Sequence, residues 1–309
     1  MSDSEPPLPS QRFVGAGVTR NEADYAELQR QEDGDQGISE KFLEYPFASE
    51  AHKKVMVDLV LDLENGLQNH LLPSTLPPLL QYYTNHSGSV QASFRVRQGL
   101  TESPIDLIWG SWVHYEPPNG TCLEITSFTV YLNSSNDAPH FVIDLIRHSP
   151  TMLVVILDLL PRKDLTLHPQ YLKTFYEDTQ LDIHRQAFEK LAEAEPYVSP
   201  SLYMRTTVSP TAILFRIETE GRGGEERLEE IIRSHLDPIS KQVLKTWFEN
   251  CVNYSGERDE EERECVRRRD QICRRKNLDI DLAPSFVQLF GEEDGNRMMA
   301  CLKDYFFSE

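Results

Sequence analysis

The stretch Phe141-Val-Ile-Asp-Leu-Ile-Arg-His-Ser-Pro-Thr-Met-Leu-Val-Val-Ile-Leu-Asp-Leu-Leu160 decides the fold. Two apolar runs flank His148-Ser-Pro-Thr151, a link too short for a helical crossover, so the runs must be antiparallel neighbours in a sheet. In the first run successive side chains alternate between faces. Val142, Asp144 and Ile146 share one face, and Phe141, Ile143 and Leu145 share the other. The second run, Met152–Leu157, is apolar on both faces, which predicts a central strand covered on both sides. It stops at Asp158, well short of the roughly 18 apolar residues of a spanning helix.

Working outward, Val90–Val96, Ile105–His114, Cys122–Leu132, Ser201–Val208 and Ala212–Thr219 also read as strands between Gly, Pro and Asn punctuation. Helical periodicity covers about 49–71, where Val55, Leu59, Leu63 and Leu67 follow the capping candidate Ser49. Further helical patterns span about 168–193, 225–254, 257–277 and 284–307. A meandering sheet between helical layers is the economical solution, giving an α/β (α+β) fold. Residues 1–40 are poor in large apolar groups and read as a disordered acidic tail. Residues 41–309 show no internal break and read as a single domain.

With 31 Lys and Arg against 50 Asp and Glu, the 309-residue chain carries a formal charge of −19. That excess argues against nucleic acid and against an anionic membrane surface. The five scattered cysteines contain no Cys-x-x-Cys pair and read as reduced thiols. The N-terminus has neither an apolar signal core nor the Arg- and Ser-rich character of a transit peptide. Phosphate-binding, dinucleotide-binding and nucleophile-elbow motifs are missing.

The residues that could carry chemistry are carboxylates. Asp144, flanked by β-branched apolar neighbours, is disfavoured as an anion and suits a proton donor; the alternative is a solvated or arginine-paired side chain. Asp281, in Asn277-Leu-Asp-Ile-Asp-Leu-Ala-Pro284, is either a cap before a helix or a loop carboxylate reaching over the sheet. Segment 257–276 opens with acids and closes with bases. This suits an exposed helix that complements its own dipole, or a basic patch for an acidic partner.

An ordered set of strings adds a resemblance. They are Phe42-Leu-Glu-Tyr-Pro-Phe47, Ser103-Pro-Ile-Asp-Leu-Ile-Trp-Gly-Ser-Trp112, Leu132-Asn-Ser-Ser135, Ala138-Pro-His-Phe-Val-Ile-Asp-Leu-Ile146, Leu157-Asp-Leu-Leu-Pro-Arg-Lys-Asp164, Pro196-Tyr-Val-Ser-Pro-Ser-Leu202 and Phe290-Gly-Glu-Glu293. Together they resemble the red chlorophyll catabolite reductases, relatives of the ferredoxin-dependent bilin reductases, from about Phe42 to the C-terminus. The resemblance implies a three-layer α/β/α sandwich with a central antiparallel sheet. It also implies a homodimer in the chloroplast stroma, with no bound cofactor and electrons from reduced ferredoxin. The implied substrate is red chlorophyll catabolite, a linear tetrapyrrole made by pheophorbide a oxygenase, with which association is expected. Reduction of another bilin such as biliverdin, or a non-catalytic tetrapyrrole carrier, are the competing readings.

The family's two pocket carboxylates fall on Asp144 and Asp281. The first is a glutamate in the relatives, so its reach here is one methylene shorter. Arg95, Arg97 and Arg205, each placed on a strand, are candidate anchors for a substrate carboxylate, since guanidinium matches that group bidentately; surface exposure is the alternative. Val208, at the end of the strand holding Arg205, is a candidate pocket wall.

Overall fold

Apolar alternation builds eight strands, and their order in the computed structural model follows the chain almost throughout. They are β1 (Tyr83–Thr84), β2 (Val90–Gln98), β3 (Ile105–Tyr115), β4 (Leu123–Leu132), β5 (His140–Ser149), β6 (Met152–Leu160), β7 (Ala194–Pro196) and β8 (Ile213–Glu218). All pairings are antiparallel, in the order β1-β2-β3-β4-β5-β6-β8-β7. The first six form a meander, and residues 161–212 then make an excursion before β8 returns beside β6. The structure describes residues 42–307 apart from 75, 86, 118, 119, 121, 257 and 258. These belong to one compact unit, Gln36–Glu309. The expected tail, 1–40, lies outside the described residues.

The helices include α1 (Glu50–Leu67), α2 (Asp182–Glu189), α3 (Leu202–Arg205, a single turn), α4 (Gly224–Ile231), α5 (Asp237–Trp247), α6 (Glu260–Asn277), α7 (Ala283–Phe290) and α8 (Glu292–Phe307). Helix α1 begins where its sequence says it should: the Ser49 hydroxyl accepts from the His52 N–H, and Val55, Leu59, Leu63 and Leu67 are fully buried. With α4 and α5 it covers the face bearing Ile143, Leu145, Val155 and Leu157. Helices α7 and α8 pack on the opposite face, against Phe94, Trp109 and Tyr131. The result is helices, sheet, helices. Among the described residues no helix is long and apolar enough to cross a membrane.

Two local expectations are corrected. Ser201–Val208 is not a strand. Ser201 caps α3 by accepting from the Met204 N–H, and the Thr206 and Thr207 hydroxyls donate to the Tyr203 and Met204 carbonyls. Side chains that close a turn on themselves draw the backbone away from a ladder. The expected loop between α6 and α7 is instead a π-helical turn, Leu278–Leu282, leading into α7 with Pro284 in its first turn. The same pattern recurs at Ile232–Leu236 ahead of Pro238. Proline has no N–H to give to a preceding carbonyl, and a widened turn accommodates that loss without ending the helix.

Candidate active site

Strand register sorts the candidate residues. Phe94, Ser111, Ser127, Asp144, Ile156 and Leu214 lie opposite one another in a single row across five pairings. They therefore share one face, the one bearing α7 and α8 over β2 and β3. Beyond those helices the cover thins: Ser127, Asp144, Ile146, Ile156 and Leu214 are all half-buried. Asp144 thus stands in a partly open apolar strip, bordered by Val142 and Ile146 along its own strand and by Ser127 and Ile156 on its neighbours. The two-sided cover expected for β6 is complete on one face and partial on this one, at Ile156.

A cleft opens on the same face, and none of the strip residues lines it: the buried pair Val142 and Asp158 stands between. Tyr131, His140 and Leu160 form its floor; Arg269, Asp270, Cys273 and Asn277 of α6 form one wall, and Met204 and Thr207 the other. The concavity measures about 430 Å³, open solvent included, with an inner cavity of about 40 Å³. The inner cavity has room for only a few waters. The Tyr131 phenol is pushed up to about 12, chiefly by burial, with the Arg274 cation opposing and the Asp144 carboxylate adding. Tyr131 therefore keeps its proton at neutral pH.

The α6 wall is held by a buried ion pair. Arg162, 2% exposed, donates from Nε to both oxygens of Asp270 at 3.1 Å and from its terminal nitrogens to the Asn133 and Asn136 carbonyls. The Leu132 N–H donates to His140 Nδ1, so Nε2 carries the ring hydrogen and faces Asp270 Oδ1 at 3.2 Å. Burial, reinforced by Arg162, lowers the His140 pKa to about 4, leaving a neutral imidazole. Burial alone would raise Asp270, but Arg162 and His140 hold it well below the usual carboxylate range. Beside it, Arg274 lies 4.4 Å over the Tyr131 ring and pairs with Asp106.

Not every predicted residue meets here. Arg95 sits in the row Arg95–Gly110–Phe128–Ile143, on the opposite face from Asp144. It pairs with Glu64 of α1 at 2.9 Å, and Arg97 approaches the same carboxylate at 3.5 Å and donates to the Leu72 carbonyl. Their guanidiniums fasten α1 to the sheet instead of facing the cleft. Arg205 is exposed at the end of α3, not on a strand, and donates to the Ser199 carbonyl at 2.6 Å. Val208, half-buried, follows the cleft residue Thr207 in the same irregular segment. Asp281 belongs to the turn whose first residue, Leu278, joins Leu107, Trp109 and Tyr131 in one apolar cluster on Asp144's face.

Sequence reasoning passed over Asp158, which stands opposite Val142 and one row from Asp144 on the same face. It is 2% exposed and accepts from the Ser209 N–H at 2.8 Å and the Ser209 hydroxyl at 2.5 Å. Burial raises its pKa to about 6 against the pull of those bonds. The signal was present: an acid ending an apolar central strand is a stronger anomaly than Asp144. Arg162 and Asp270 lie 108 residues apart and left no such signal.

Comparison with known proteins gives this arrangement its context. The family model for red chlorophyll catabolite reductase (RCC reductase) matches residues 51–304. The chloroplastic red chlorophyll catabolite reductase of Arabidopsis thaliana is 47% identical over 91% of this chain and 88% of its own length. The chloroplastic red chlorophyll catabolite reductase 1 of Oryza sativa subsp. japonica is 42% identical over 83% of this chain and 78% of its own. Among solved structures, tomato phytochromobilin synthase in complex with biliverdin shares the fold, with a TM-score of 0.59 over 82% of this chain and 84% of that one at 14% identity. The chain belongs to the red chlorophyll catabolite reductase family.

Proposed function

We propose that this chain reduces red chlorophyll catabolite, a linear tetrapyrrole, to the primary fluorescent catabolite, taking electrons from reduced ferredoxin and holding no flavin, nicotinamide or metal of its own. The observation that carries the mechanism is a carboxyl group, Asp144, in a half-buried apolar strip on the sheet face that also bears the cleft. Two single electrons and two protons saturate one double bond of the methine region. Asp144 delivers one proton from its place beneath the bound tetrapyrrole, and Asp281 is assigned the other. The apolar strip keeps water and oxygen from the one-electron intermediate. Arg205, exposed between the cleft residues Met204 and Thr207 in the chain, is the remaining arginine candidate for pairing with a substrate carboxylate. Relatives named chloroplastic support a chloroplast setting; the stroma, a homodimer and association with pheophorbide a oxygenase complete the proposal.

The test is an anaerobic reaction of the protein with reduced ferredoxin and freshly generated red chlorophyll catabolite, scored for blue fluorescence. Fluorescence that needs both protein and ferredoxin is expected. Binding without turnover would replace the enzyme by a carrier, and turnover of biliverdin in its place would move the chain to another bilin. Within this reading Val208 forms part of the substrate's wall. Val208→Phe is therefore expected to change the epimer ratio of the product, measured by chiral chromatography, with folding intact; an unchanged ratio would remove Val208 from the pocket.

A further inference from the structure

The two walls of the cleft are fastened differently. The α6 wall is locked to the sheet through Arg162, Asp270 and His140, and through Arg269 donating to the Pro161 carbonyl. The facing wall, residues 201–209, is an isolated helical turn followed by irregular chain. At its near end Tyr203 reaches across to α6, where its hydroxyl donates to Cys273 Sγ at 3.6 Å. Sulfur is a weak acceptor, so this contact opens readily. At its far end Ser209 is moored by both its N–H and its hydroxyl to Asp158 on β6. The inner cavity between the walls, about 40 Å³, is far smaller than four pyrrole rings. A tetrapyrrole enters only if a wall yields, and the ion-paired α6 is the costlier one to displace.

We propose that Asp158 is a positioning residue: moored to Ser209, it is the fixed end of a movable wall, residues 201–209, that opens at Tyr203 and Cys273 to admit the tetrapyrrole and closes on it. This rests on the reading given under Proposed function. Asp158 itself touches no substrate, because both of its oxygens are occupied by Ser209. A carboxylate here is not what stability alone would select. Burial disfavours its charge, whereas leucine would extend the apolar run. An acid kept at such a cost at the foot of a cleft wall marks a local conflict of the kind found at functional sites. What the charge supplies is a pair of charge-assisted hydrogen bonds, stronger and more directional than neutral ones.

The experiment compares the full-length wild type with Asp158→Asn, Asp158→Ala and Ser209→Ala in two measurements. The first is amide hydrogen exchange without substrate. Asp158→Ala is expected to speed exchange across 201–209 while leaving the amides of α6 and the central strands at wild-type rates. The second is steady-state reduction of red chlorophyll catabolite with reduced ferredoxin. Asp158→Ala and Ser209→Ala are expected to raise KM about tenfold, the scale of one lost charge-assisted bond, with kcat within about threefold. Asp158→Asn, which retains an acceptor for the Ser209 N–H, is expected to fall between. Faster exchange throughout the chain would make Asp158 a general structural residue and overturn the proposal. Faster exchange confined to 201–209 with unchanged KM would overturn it as well, since the wall would then not position substrate. Should the wild type itself fail to turn over, the functional reading falls, while the exchange result still decides whether Asp158 holds the wall.

Discussion

Asp144→Asn is expected to lower kcat for tetrapyrrole reduction by roughly 10²- to 10⁴-fold, the usual contribution of a positioned general acid, with substrate affinity close to wild type. Asparagine has nearly the shape of aspartate and keeps the same place opposite Ser127 and Ile156 in the sheet. It has no proton to give at neutral pH. The change therefore separates proton delivery from packing, which an alanine would confuse. Asp144→Glu is the companion variant. It lengthens the side chain by one methylene along the open strip, where half-burial leaves room, and is expected to retain turnover. The measurement is single-turnover reduction under saturating reduced ferredoxin, with affinity taken separately from quenching of protein fluorescence. Wild-type kcat in the asparagine variant would remove Asp144 from the chemistry and leave it a residue of the strip.

The second large effect concerns the cleft's rigid wall. Arg162→Met preserves length and apolar stem but leaves Asp270 buried without its cation. Breaking a buried pair by removing one partner costs about 3–5 kcal/mol, because the surviving charge is neither solvated nor paired. For a chain of this size that corresponds to a Tm lower by about 10 °C. The carbonyls of Asn133 and Asn136 each lose the Arg162 donor at the same time, the former keeping the Asn136 N–H. The double variant Arg162→Met, Asp270→Asn is expected to recover part of the loss, because no charge is then stranded. Differential scanning calorimetry on Arg162→Met, Asp270→Asn and the double variant closes the cycle. Equal losses in the single and double variants would mean that Arg162 acts through the carbonyls alone. The contrast with Arg95 and Arg97 is instructive: all three arginines secure helices to the sheet, but only Arg162 does so beside the cleft.

Local pattern was enough for the sheet and for α1. Alternation over Phe141–Leu160 and four-residue periodicity from Val55 to Leu67 are set by neighbours in the chain, so tertiary context had only to agree with them. It was also enough to place Asp144 on the face with Val142 and Ile146. It misread Ser201–Val208 and Asn277–Pro284, where the deciding interactions are hydroxyls folding back on carbonyls and a proline absorbed by a widened turn. Which face of the sheet Arg95 and Arg97 occupy relative to Asp144 was beyond it, because that depends on register carried through three strand pairings. Local pattern could name Asp158 as an anomaly but could not find Ser209 above it, nor could it join Arg162 to Asp270 across 108 residues. The sequence alone determined the strands, the first helix and a carboxylate among apolar neighbours, because those are encoded within a few residues of one another. The cleft, its locked wall and the mooring of its other wall were decided only by the tertiary structure, because burial and ion pairing act between residues that meet through folding.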